Sequence, residues 1–164
     1  MSTLACAGHC GGAPKTAIGR NLTFNRISPA PHIHMPHRDY SEDDDFYTQD
    51  FESPGKVSIW LGYSQDADQL IDVLQDLCGV GYYSLDDQEA NCFSFELTKV
   101  ERLLEEISYS GSFAATAVKV AERRKLSEAR WVTVQFDFAY APEKVKRPIA
   151  DDPIFLGVFR YSKE

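Results

Sequence analysis

No histidine occurs beyond His37, and all four (His9, His32, His34, His37) fall within the first 38 residues. Ser-His-Asp and Cys-His nucleophile sites need an imidazole beside the nucleophile. The remaining chain can build neither unless the first 38 residues fold back over it. Glycine-rich dinucleotide loops, the Walker phosphate loop and the HExxH metal motif are also missing. Basic charge is scarce: 17 Lys and Arg stand against 25 Asp and Glu, a net charge of −8. Nucleic-acid binders usually carry a basic face, and none is visible. No apolar run reaches the length of a membrane-spanning helix. The chain start lacks the charged and apolar regions of a secretory signal, so a cytoplasmic protein is expected. The four cysteines (Cys6, Cys10, Cys78, Cys92) are too few for a disulfide framework at this length. Cys78 and Cys92 read as small buried apolar residues.

What is present divides into three parts. Residues 1–38 are rich in Gly, Pro, Ala and His, carry Lys15, Arg20, Arg26 and Arg38, and contain no acid. They read as a flexible leader, and translation starting at Met35 would leave most of it untranslated. Cys6, His9, Cys10, His32, His34 and His37 match no structural zinc spacing, so neither a metal nor another cofactor is expected. Residues 39–55 (DYSEDDDFYTQDFESPG) hold seven acids, no base, and the aromatics Tyr40, Phe46, Tyr47 and Phe51. That mixture suits a docking tail or, the simpler reading, a solvated linker. Residues 56–164 carry the periodic apolar pattern of one folded domain.

Within that domain, Lys56–Gly62 (KVSIWLG) has the β-branched, glycine-ended pattern of a strand. Ser64 is placed to cap a helix whose face is Ala67, Leu70, Ile71, Leu74, Leu77 and Cys78, ending at Gly79 and Gly81. Val80–Leu85 and Asn91–Leu97 suggest two short strands about an acidic turn, Asp86-Asp87-Gln88-Glu89. Thr98 and Glu101 form a capping-box pair ahead of Val100, Leu103, Leu104 and Ile107. Ser112 is placed to cap a further helix bearing Phe113, Ala117, Val120 and Ala121. Arg123, Arg124 and Lys125 crowd its C-terminal turn, where cations are favoured. Trp131–Tyr140 (WVTVQFDFAY) alternates, putting Val132, Val134, Phe136 and Phe138 on one face. Ile154–Tyr161 supplies the last strand. The order β-α-β-β-α-α-β-β predicts an α+β fold, a mostly antiparallel sheet with helices on one face.

The candidate chemistry is carboxylate chemistry. Glu101, Glu105 and Glu106 read as the solvated side of a helix. Asp137 sits on the strand face opposite the phenylalanines and requires a partner such as Arg160 if that face is covered. Paired acids also run glycoside hydrolysis or hold Mg²⁺, so a carboxylate-based hydrolase is one alternative. Trp60 and Trp131 read as core anchors. Tyr82 and Tyr83, followed by Asp86, Asp87 and Glu89, form the best aromatic-acidic patch for binding another protein. An acidic protein steers toward a basic partner.

Four segments carry a further signal. They are Val57-Ser58-Ile59-Trp60-Leu61-Gly62; Ser108-Tyr109-Ser110-Gly111-Ser112-Phe113; Phe136-Asp137-Phe138-Ala139-Tyr140; and Phe155-Leu156-Gly157-Val158-Phe159-Arg160-Tyr161. Their content and order resemble the immunity protein 22 family of bacterial polymorphic toxin systems, over about residues 56–161. The resemblance implies a cytosolic antidote that binds a cognate toxin domain, often a nuclease, and occludes it without catalytic residues or cofactor. No toxin-contacting residue is carried over by it. A general protein-interaction or regulatory module working through residues 39–55 is the other alternative, and pairing through a strand edge would make a homodimer.

Overall fold

Two runs of six buried residues set the architecture. Val57–Gly62 and Trp131–Phe136 are buried on both faces, which requires a sheet covered from both sides. The computed structural model describes residues 39–65 and 71–164. The leader, with its cysteines and histidines, and the first turn of the helix expected after Ser64 lie outside the described residues.

The fold is α+β. Strands β1 (Glu52–Gly62), β2 (Gln88–Cys92), β5 (Trp131–Phe138) and β6 (Ile154–Arg160) form an antiparallel sheet in the order β2-β5-β1-β6. A two-residue ladder joins β3 (Thr98–Lys99) to β4 (Glu128–Ala129) beside it. Helices α1 (Val100–Glu105) and α2 (Ala114–Arg123) lie on one sheet face. There Val57, Ile59, Leu61, Val132, Val134 and Phe136 meet Leu103, Leu104, Phe113, Ala117 and Ala121. On the opposite face, Trp60, Trp131 and Phe138 pack with Phe51, Leu74, Cys78, Val80, Tyr83 and Tyr140. Both tryptophans are core residues, as their neighbours in sequence imply. Trp131 also explains Gly62, its cross-strand partner. A Cβ at Gly62 would lie 1.7 Å from the Trp131 ring, so only hydrogen fits.

The second layer departs most from the expected pattern. The helix expected from Ser64 to Cys78 is, in its described part, one wide turn, Val73–Leu77, in which the Cys78 N–H reaches the Val73 carbonyl. Asp72 caps it by accepting from Gln75 N at 3.0 Å. Val80–Leu85 is not a strand. Its backbone groups are met by side chains and by a distant loop instead of a ladder. Gln49 Nε2 donates to the Gly79 carbonyl (2.9 Å) and Gly81 N donates to Gln49 Oε1 (2.7 Å). Gln75 Nε2 donates to the Gly81 carbonyl at 2.9 Å, and Tyr82 N to the Phe46 carbonyl at 2.8 Å. The strand instead begins at Gln88, so Gln88 and Glu89 belong to β2 and the turn shrinks to Leu85–Asp87. The strand expected over Asn91–Leu97 stops at Cys92, because Ser94 and Phe95 take left-handed backbone conformations (φ 53° and 54°).

The caps expected at Thr98 and Ser112 do not form. Thr98 is held in β3 and its hydroxyl donates to the Glu96 carbonyl. The Ser112 hydroxyl donates to the Tyr109 carbonyl and accepts from Ser162 N. The basic end of α2 works as its position implies. Lys125 (φ 59°) turns the chain, and the Leu126 and Lys125 amides reach the Ala121 and Glu122 carbonyls. Arg124 Nη1 donates to the carbonyls of Phe155 (2.7 Å) and Leu156 (2.8 Å). This occupies part of edge strand β6, which would otherwise offer them for pairing.

Phe138 falls on the opposite face from Val132, Val134 and Phe136. The reason is Asp137, whose φ of 50° breaks the two-residue alternation. Its partner is not Arg160. Asp137 accepts from Gly55 N (2.7 Å), Tyr161 Oη (2.8 Å) and Lys163 Nζ (3.3 Å). Burial alone would raise the Asp137 carboxyl, but these three donors hold it below its usual value. Burial, together with the Asp137 bond, pushes Tyr161 up to about 12.

Two substitutions test this account. Gly62→Ala should destabilise the fold by about 3 kcal/mol, since neither ring nor strand can retreat, measured by urea unfolding. Asp137→Asn keeps a residue that tolerates positive φ and removes the charge. A lowered folded-state pKa stabilises above the unfolded carboxylate pKa, and that contribution is lost as pH falls through the folded value. The variant should therefore be about 1 kcal/mol less stable at neutral pH, with the gap closing under acid. A gap independent of pH would contradict the assignment.

Candidate functional site

The acidic segment ahead of β1 is packed against the domain. Tyr40, Asp45, Gln49 and Phe51 are buried. Arg147, far along the chain, ties the segment down. Its Nη1 meets Asp43 Oδ2 at 2.8 Å, its Nη2 donates to the Gly79 carbonyl at 2.7 Å, and its guanidinium lies 5.0 Å from the centre of the Tyr40 ring. The Tyr40 hydroxyl donates to Asp76. Together with the Gln49 clamp on Gly79 and Gly81, these contacts make residues 40–51 part of the second layer. The solvated-linker reading fails because half of the segment's chemistry points inward.

The other half points outward. Tyr47 is 72% exposed and Tyr82 50% exposed. Their ring centres lie 5.7 Å apart, and Phe46 stands 4.6 Å from Tyr47 and 6.5 Å from Tyr82. Buried Gly81 permits this approach, since a Cβ there would lie 2.4 Å from the Phe46 carbonyl oxygen. A cleft of about 250 Å³ opens beside the rings, and the exposed acids Asp50 and Glu52 line it. Asp50 holds a left-handed backbone (φ 56°). Three large aromatic rings grouped at the surface among carboxylates are uncommon on a face that only meets water, and Tyr is enriched among binding anchors.

The five residues singled out from sequence separate. Tyr82 joins the exposed cluster. Tyr83 is only 8% exposed and its hydroxyl donates to Asp72 Oδ2 at 2.7 Å, so it is a core residue and not a contact. Asp86 is exposed and Asp87 half-buried in the Leu85–Asp87 turn. Glu89, half-buried on β2, accepts from Ser108 N at 2.8 Å and tethers the chain after α1. Sequence reading missed Phe46 and Tyr47 as partners of Tyr82. The acid-aromatic composition of residues 39–55 marked them, but nothing local indicated where they dock.

Other chemistry is limited. Burial pushes the Cys78 thiol up, which disfavours the reactive thiolate. Among the described residues no group of three or more His, Cys, Asp and Glu is placed to hold a metal ion. No helix among them is long and apolar enough to cross a membrane. Comparison of the chain with family models, with curated proteins and with solved structures gives no match.

The Gln49 clamp is the point on which the exposed cluster depends. Gln49→Ala leaves the Gly79 carbonyl and Gly81 amide without their partner, at a cost of about 2 kcal/mol. Limited proteolysis should then cut within residues 40–50 faster than in the parent chain, while far-ultraviolet circular dichroism stays unchanged. Equal cleavage rates would show that Arg147 alone holds the segment.

Proposed function

We propose that this protein is an immunity protein that binds a cognate bacterial toxin domain and blocks it by occlusion. The observation that carries this reading is the pairing of exposed Tyr47 and Tyr82 around half-buried Phe46 in an acidic surface. Rigid aromatic anchors ringed by charge are the usual composition of a protein-binding centre. Residues 39–164 hold 13 basic and 25 acidic groups, and that negative field steers encounter with a basic partner such as a nuclease domain.

The resemblance to the immunity protein 22 family fits this reading in a particular way. Its four segments converge on Phe136. Val57 pairs with it across the sheet, Tyr109 and Phe113 stand 5.7 and 6.3 Å away, and Tyr161 4.9 Å away. The shared residues therefore belong to the scaffold. On this reading the contact surface lies outside the four segments, as expected where each antidote must match a different toxin.

The reading excludes Tyr83 from the interface and retains Tyr82, Asp86 and Asp87, with Phe46 and Tyr47 added. Co-expression with the toxin domain encoded next to this gene should restore growth of a heterologous bacterium and yield a one-to-one complex on pull-down. Reversing charge at Asp86 and Asp87 should slow association about tenfold at low salt and flatten its salt dependence. Absence of both rescue and complex would remove the immunity reading. Rescue with unchanged association kinetics would remove only those two acids from the interface.

A further inference from the structure

We infer that the cleft beside Tyr47 and Tyr82 is a receptor for one cationic side chain, an arginine or lysine of the partner protein. The inference rests on the reading of this face as the contact surface, and narrows it to one chemical group.

Size is the first argument. About 250 Å³ admits a single long side chain and is too small for a helix or a strand. Wall chemistry is the second. Tyr47, Phe46 and Tyr82 offer aromatic rings, whose negative faces attract cations when these approach within about 6 Å. The third is unmet charge. Asp50 and Glu52 both line the cleft, both are exposed, and neither forms an ion pair among the described residues. In the same segment Asp43 is paired with Arg147. Asp43 and Asp45 lie within 4.0 Å of Arg147, and among the described residues no Lys or Arg does the same for Asp50 and Glu52.

The fourth argument is a cation beside two of the lining residues. Lys144 Nζ lies 5.9 Å from the centre of the Phe51 ring and 3.5 Å from the Asp50 carbonyl oxygen. Phe51 is itself a lining residue. An ammonium group thus already rests beside Asp50 and Phe51, from an exposed position and through one long hydrogen bond. One 3.5 Å hydrogen bond is a weak tether, and a positive charge this close would oppose an incoming cation.

The test uses the full chain, isotopically labelled, and two probes. They are N-acetyl-arginine amide and its neutral citrulline counterpart, titrated at constant low ionic strength and followed by amide chemical shifts. Arginine should move the Asp50, Glu52 and Tyr82 amides, and citrulline should not. Tyr47→Ala, and separately Asp50→Asn with Glu52→Gln, should each weaken arginine binding about fivefold. Lys144→Met should tighten it about threefold, and Lys146→Met, a nearby exposed lysine outside the cleft, should change it less. Equal shifts from both probes would overturn the inference, as would arginine shifts scattered evenly over the exposed acids. The result separates from the survival test. Rescue with an unresponsive cleft leaves the immunity reading standing and removes the receptor, whereas a responsive cleft without rescue does the reverse.

Discussion

Strand β1 is bonded along both edges, to β5 and β6, and covered on both faces. Everything else is arranged around that double enclosure. From Val57 to Gly62, where neither side meets solvent, a polar side chain gains by finding a hydrogen-bond partner. Ser58 does so through its hydroxyl, which donates to the Phe138 carbonyl at 2.8 Å and accepts from Tyr140 N at 2.9 Å. These bonds fix the chain where β5 ends, just after the Asp137 kink. Two helices suffice for one face. The other requires a second layer, and an irregular one made from residues 40–51 and 71–85 fills the role. The proposed contact face exists because this improvised layer has an outer surface.

The regular half of the molecule was legible from sequence, and for a definite reason. β1, β5, β6 and α2 announce themselves through local period, and period is a property of neighbouring residues. Val132, Val134 and Phe136 point one way because successive strand residues must. Phe138 broke that rule because Asp137 finds three donors, from Gly55, Tyr161 and Lys163, and all of them lie more than twenty residues away. The second layer was illegible for the same reason on a larger scale. Leu74, Leu77 and Cys78 have helical spacing, yet Gln49 and Arg147 determine where Gly79 and Gly81 place their backbone. No window of sequence contains both ends of those contacts.

The candidate site shows a similar division. Tyr82 was recognised from its acidic surroundings, and Tyr83 was chosen with it for the same reason. Adjacent residues in an extended segment face opposite ways, so one of the pair had to turn inward. Asp72 decided which, by accepting the Tyr83 hydroxyl. The composition of residues 39–55 also pointed to binding, but the weight of seven acids favoured a solvated reading. Only the fold shows that the acids divide, some paired with Arg147 and others left outside.

The Gln49 clamp has a kinetic consequence. It joins the Gly81 amide to a side chain 32 residues earlier, while the neighbouring Tyr82 amide bonds the Phe46 carbonyl. Neither amide belongs to the sheet ladder. Both are protected by the same docked segment, so one undocking event exposes both to solvent without melting β1. Their hydrogen exchange should share a single opening free energy, lower than that of Val57 or Val134. The face that carries Tyr47 should then open as one cooperative unit while the sheet beneath it stays folded.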